Sequence, residues 1–203
     1  MKLKKEVAKE VLKILSFYVE QHKLKPMTQL LIQHIGKDPY LILINCLLSL
    51  RAKDSMTLPV SLALFQKVRT PQQLLALPAQ ELEKIIHSIG FYRQKAKHLR
   101  SVSKIILEKF GGKVPSNKEQ LLSIKGIGQK TANLVLSMAF GIPAICVDVH
   151  VHRIANRIGL VKTKTPEQTE VALEQIFPKK DWSKINSLFV VFGQTTCTPI
   201  SPF

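Results

Sequence analysis

Two residues stand out for the chemistry their types allow: Lys130, an amine, and Asp148, a carboxylate. Lys130 follows Ile124-Lys125-Gly126-Ile127-Gly128-Gln129, which reads as a glycine hairpin opening a helix. Two glycines around one apolar residue permit a turn with outward-facing backbone N–H groups. The positive end of the helix dipole lies beside that turn, so a phosphate can sit there. The same positive potential disfavours an ammonium, as partial burial would, and both bias Lys130 towards the neutral amine that nucleophilic attack requires. Asp148, in Val147-Asp148-Val149-His150, suits an N-cap of the next helix and also a carboxylate that takes a proton or faces developing positive charge. On the hairpin alone, Lys130 is equally compatible with a solvated helix lysine in a module that only grips phosphates. The Asp148 partner favours the nucleophile.

The rest of the chain must position these groups. It has 203 residues, enough for one large domain or two small ones with a real core. Thirty Lys and Arg against fourteen Asp and Glu give a net charge of +16, which points to a polyanionic partner, nucleic acid before an anionic membrane surface. The basic start, Met1-Lys2-Leu3-Lys4-Lys5, leads into apolar residues interrupted by Lys and Glu, so no secretory core or membrane span is read and a cytoplasmic location is expected. Cys46, Cys146 and Cys197 are an odd, widely spaced set, which argues against a disulfide framework. The first two sit in apolar runs and read as small buried side chains.

Apolar periodicity predicts helices nearly throughout. Val7, Val11, Leu12, Ile14, Leu15, Tyr18 and Val19 mark an amphipathic helix over 3–22. The apolar run 39–50 predicts a buried helix, and 59–68, 71–77, 78–88 and 94–110 follow, with Pro at most starts and Gly90 or Gly111-Gly112 at ends. A short helix over 118–123, the hairpin, and helices over 130–140, 150–158, 166–177 and 182–193 complete an all-α chain without hairpin or alternating-strand signals.

The ordered set Lys125-Gly126-Ile127-Gly128-Gln129-Lys130-Thr131-Ala132-Asn133, Phe140-Gly141-Ile142-Pro143 and Val147-Asp148-Val149-His150-Val151-His152-Arg153 resembles the helix-hairpin-helix DNA glycosylases, most closely their endonuclease III branch. The resemblance runs from about Leu41 to Cys197. It implies a two-lobed, all-α fold: a six-helix domain over 32–143 carrying the hairpin, and a second helical lobe from 1–31 and 144–203, with DNA held in the cleft between them. It also implies a base-excision repair enzyme acting on duplex DNA as a monomer. Such an enzyme removes oxidised pyrimidines and cleaves the resulting abasic site by β-elimination, with Lys130 as nucleophile and Asp148 as its electrostatic partner. The alternatives are a monofunctional mismatch glycosylase and a non-enzymatic DNA-binding module.

The resemblance further implies DNA contacts at Lys125, Gly126, Gly128, Gln129 and Thr131. Arg51 falls where the family commonly has a glutamine that fills the gap left by the flipped base; a plain phosphate contact is the competing reading. Phe91, in Ile89-Gly90-Phe91-Tyr92, corresponds to the apolar wedge between bases of the opposite strand, with a buried core residue as the alternative. His150 and Arg153, three apart on one helical face, either touch phosphate or brace the cleft. Cys197 and the six residues after it match the opening of the family's C-x6-C-x2-C-x5-C iron–sulfur loop. The sequence stops one residue before the second cysteine. The chain is expected to be a truncated form of a protein bearing a [4Fe–4S] cluster; a natural form without the cluster is the alternative, and no complete cofactor site is expected from these residues.

Overall fold

The computed structural model describes residues 2–200, which form twelve α-helices and a short 3-10 turn with no strand among them. The fold is all-α, as the sequence predicts. Packing divides the chain into two units: Leu31–Phe140, and Met1–Leu30 together with Gly141–Phe203.

The continuous unit is built around α3 (Pro39–Ser49), whose residues Tyr40 to Ile44 and Cys46 to Leu48 are all buried. Asp38 starts this helix by accepting the Tyr40 and Leu41 N–H groups, while Pro39 supplies a preset first-turn φ. Around it lie α4 (Asp54–Phe65), α5 (Pro71–Ala76), α6 (Ala79–Ile86), α7 (Tyr92–Phe110), α8 (Lys118–Ser123) and α9 (Gln129–Phe140). These are seven helical segments beside the six helices that the resemblance implies, and α5 and α8 have six residues each. Two polar bonds pin α3 within the apolar packing: Tyr40 Oη lies 2.7 Å from Ser103 Oγ on α7, and Asn45 Oδ1 accepts from Ser61 Oγ on α4 at 2.9 Å. A buried polar group so satisfied fixes register as well as adding stability.

Two expectations need correction here. The helix predicted from Pro59 begins at Asp54, so Pro59 lies inside it. Proline deletes one internal hydrogen bond, but burial of Thr57, Val60, Ser61, Leu64 and Phe65 on this helix offsets that loss. The sequence reading also missed α2 (Met27–Ile35), whose short stripe of buried residues consists only of Leu31 and Ile35.

In the second unit, α1 (Lys2–Gln21) packs on α11 (Pro166–Ile176) and α12 (Trp182–Thr195), and α10 (Val149–Arg157) packs on both of those helices. Ala8, Leu12 and Leu15 of α1 join Ile145, Val147, Val151, Ile154, Leu173, Ile185 and Phe189 in one apolar core. Val7 and Ile14, predicted on the buried stripe, are exposed instead. Tyr18 Oη ties α1 to Thr195 and Thr196 at 3.0 and 2.7 Å. No described helix is long and apolar enough to cross a membrane.

Candidate active site

The hairpin is assembled from α8, a tight turn and α9. Asn117 caps α8 by accepting from the Gln120 N–H at 3.0 Å, and the Ile127 N–H reaches back to the Ile124 carbonyl at 3.0 Å to close the turn. Buried Ile124 and Ile127 anchor it, leaving Lys125, Gly126 and Gly128 exposed between and beside them. Gly126 is indispensable on two counts. Its φ of +97° lies in the left-handed region, and a Cβ there would stand 2.0 Å from His98 Nε2 on α7. Gly128 has open space where a Cβ would be, so its glycine leaves the approach to the first turn of α9 clear. The His98 ring is partly buried against the turn, and burial holds its pKa below the ordinary imidazole value.

Lys130 stands exposed on that first turn, and Gln129 beside it is half-buried. The burial considered from sequence is therefore absent at Lys130. Thr131 is 4% exposed, so its side chain packs inward. Beneath Lys130 lies Cys46 of α3, a fully buried thiol pushed up to about 12 by desolvation despite the nearby Lys130 charge. A thiol so placed is not a competing nucleophile.

Asp148 is held by the second unit. Ala144 to Val147 are all buried, and Asn186 Nδ2 of α12 donates to the Cys146 carbonyl at 3.1 Å, fixing the approach to the carboxylate. Asp148 Oδ1 accepts from both the His150 and Val151 N–H groups at 2.9 Å, so the residue is an N-cap. One oxygen serves both donors.

His150 and Arg153 brace this helix. Arg153 Nη2 donates to the Gly193 carbonyl at 3.1 Å and to the Cys197 carbonyl at 2.6 Å, with His150 Nδ1 at 3.2 Å. Gly193 permits the approach: a Cβ would stand 2.6 Å from His150 Nδ1. These contacts, all through Nη2, favour the bracing reading of Arg153. Cys197 is also buried, with Arg157 Nη1 donating to its Sγ at 3.5 Å. Among the described residues no cluster of three or more His, Cys, Asp or Glu side chains could hold a metal, so Cys197 finds no further ligands there.

Arg51 and Phe91 share an unusual backbone. Three non-glycine residues have positive φ among those described, and these two are Arg51 at +54° and Phe91 at +61° beside Lys23. Phe91 is 65% exposed, which removes the core reading. Leu50 (φ −57°, ψ 117°) and Arg51 form the centre of a turn closed by the Ala52 N–H on the Ser49 carbonyl at 3.1 Å, the type II arrangement that favours glycine where Arg51 stands. Left-handed strain in a bulky residue costs on the order of 1 kcal/mol and gathers at functional sites.

The family model for HhH-GPD superfamily base-excision DNA repair proteins matches residues 44–179. Endonuclease III of Thermotoga maritima is 46% identical over 169 residues, covering 83% of this chain and 79% of that one. The chain belongs to the endonuclease III branch of the HhH-GPD superfamily. Among solved structures of that branch, a non-covalent endonuclease III–DNA complex matches with a TM-score of 0.86 at 33% identity, covering 98% of this chain and 89% of the other. A trapped covalent endonuclease III–DNA intermediate matches at 0.77 and 38% identity over 81% and 78%.

The sequence reading missed Lys95 and His98 in the unit that carries the hairpin, and Arg157 and Asn186 in the unit that carries Asp148. Lys95 alone carried a legible signal, because it falls on the α7 face that otherwise buries Ala96, Leu99, Val102 and Ile106.

Proposed function

We propose that this chain is a bifunctional DNA glycosylase and abasic-site lyase that removes oxidised pyrimidines from duplex DNA. The observation that carries the reading is Lys130 on the first turn of the helix after the hairpin, in a chain 46% identical to endonuclease III. A trapped covalent DNA intermediate in a 38% identical relative supports attack by an amine.

The chemistry follows from the residues. The damaged nucleotide leaves the base stack, and positive charge builds on its sugar as the glycosidic bond weakens. The Asp148 carboxylate stabilises that charge and accepts a proton as the Lys130 amine bonds to C1′ and the base departs. Loss of the ring oxygen from C1′ gives an imine. The imine acidifies the C2′ hydrogen, and its removal expels the 3′ phosphate, cleaving the strand. The exposed hairpin at Lys125, Gly126 and Gly128, with Gln129 beside it, grips the DNA backbone. Arg51 fills the vacated space and Phe91 wedges the opposite strand. His150 sets the helix behind Asp148. The single partner is duplex DNA, bound by a monomer. A [4Fe–4S] cluster on Cys197 needs three further thiolates that the described residues do not furnish, and no step is routed through it.

Borohydride reduction of a mixture with abasic duplex tests the reading. A covalent protein–DNA adduct is expected from the natural chain and is lost in Lys130→Gln. Lack of any adduct with the natural chain would sink the lyase assignment, and retention of full strand cleavage by Lys130→Gln would remove Lys130 from its role.

A further inference from the structure

Lys95 of α7 is 8% exposed, and burial lowers the pKa of its amine, so every polar contact of Nζ is made inside the protein. Its Nζ donates to the Leu48 carbonyl at 3.0 Å, to the Leu50 carbonyl, and more weakly to the Leu47 carbonyl at 3.4 Å. These are the last carbonyls of α3 and the one just beyond it, where a cation is favoured by the helix dipole and by otherwise orphaned acceptors. The Leu50 carbonyl is the important partner. It belongs to the central peptide of the Ser49–Ala52 turn, and type I and type II turns differ by rotation of that peptide through about 180°. A donor fixed on the Leu50 oxygen therefore holds the peptide in the orientation that keeps Arg51 left-handed. The same residue acts at its backbone: the Lys95 N–H donates to the Phe91 carbonyl at 3.0 Å, the first helical bond after the left-handed Phe91.

We infer that Lys95 is a positioning residue that locks Arg51 and Phe91, the two strained side chains that enter the DNA, into one preset arrangement. This rests on the proposed function, because it assigns those side chains to base extrusion. Without the Nζ donor on the Leu50 carbonyl, the turn peptide relaxes to the rotated form, Arg51 leaves the left-handed region, and the gap-filling group must be reordered for every lesion. Lys130 and Asp148 are untouched by that change.

A double-mutant cycle on the full chain tests it. The probe is a duplex with thymine glycol, an oxidised pyrimidine, beside 2-aminopurine, whose fluorescence rises when the neighbouring base leaves the stack. Lys95→Met is expected to slow this rise about tenfold in the natural background, and less than about twofold where Arg51→Ala and Phe91→Ala are already present. A merely structural lysine gives the same loss in both backgrounds, and that result, or no loss in the natural background, overturns the inference. Lys95→Leu, which likewise removes every donor, takes the place of Lys95→Met in the cycle if the methionine variant does not fold, with the same outcomes deciding. If the natural chain neither excises the base nor cleaves abasic duplex, the proposed function has failed instead.

Discussion

Asp148 is an N-cap, and the proposed function gives its carboxylate a second job that substitution can separate from the first. Asparagine is as good an N-cap as aspartate, so Asp148→Asn should alter stability by less than about 0.5 kcal/mol. It removes the charge and the proton acceptor, so single-turnover excision should fall by about 100-fold or more. Asp148→Ala should lose the same activity and about 1 kcal/mol of stability besides, measured by denaturant unfolding. A large stability loss in the asparagine variant would show that the carboxylate charge matters to folding as well. Arg51 predicts the opposite trade. Its turn position favours glycine, so Arg51→Gly should raise stability by about 1 kcal/mol while slowing base extrusion. Equal or lower stability in that variant would mean that the Arg51 side chain makes compensating contacts.

At the scale of elements, the hairpin depends on a histidine from another helix. Gly126→Ala should cost well over about 1 kcal/mol, because it combines left-handed strain with a collision against His98. Adding His98→Ala should recover only the collision part. Burial lowers the His98 pKa, so the unfolded chain binds the proton more readily than the folded one. Its contribution to stability is thus fully present above the unfolded imidazole value near 6.5 and is lost as pH falls through the lower folded value. Thermal unfolding followed from pH 7.5 downward should show this slope, and His98→Gln should flatten it. What the sequence made legible at this scale was local. The bounds of α8 and the hairpin follow from Asn117, Gly126 and Gly128, whose preferences are nearly context-free. The Pro59 error arose because tertiary burial outweighed a local helix breaker, and α2 escaped because two buried residues make no period. The hidden contacts within each unit, His98 under Gly126 and Asn186 on the Cys146 carbonyl, join residues far apart in sequence. No spacing rule reports such pairs.

The whole molecule carries +16, and its DNA affinity should reflect that. Each phosphate neutralised adds about 0.9 to the slope of log affinity against log salt, and a slope steeper than about −3 is expected from duplex binding titrations. A flat dependence would mean that most of the positive charge faces away from DNA. The division of the chain has its own outcome. The unit bearing Lys130 is one uninterrupted stretch, whereas the unit bearing Asp148 needs α1 from the beginning and α12 from near the end, joined through Tyr18 and the threonines at 195 and 196. During synthesis the chain emerges from its N-terminus, so the lysine-bearing unit can fold while α1 waits for partners not yet made. The seating of Asp148 thus depends on a contact that closes 177 positions of chain, so the larger loop-closure cost falls on this unit and not on the one bearing Lys130.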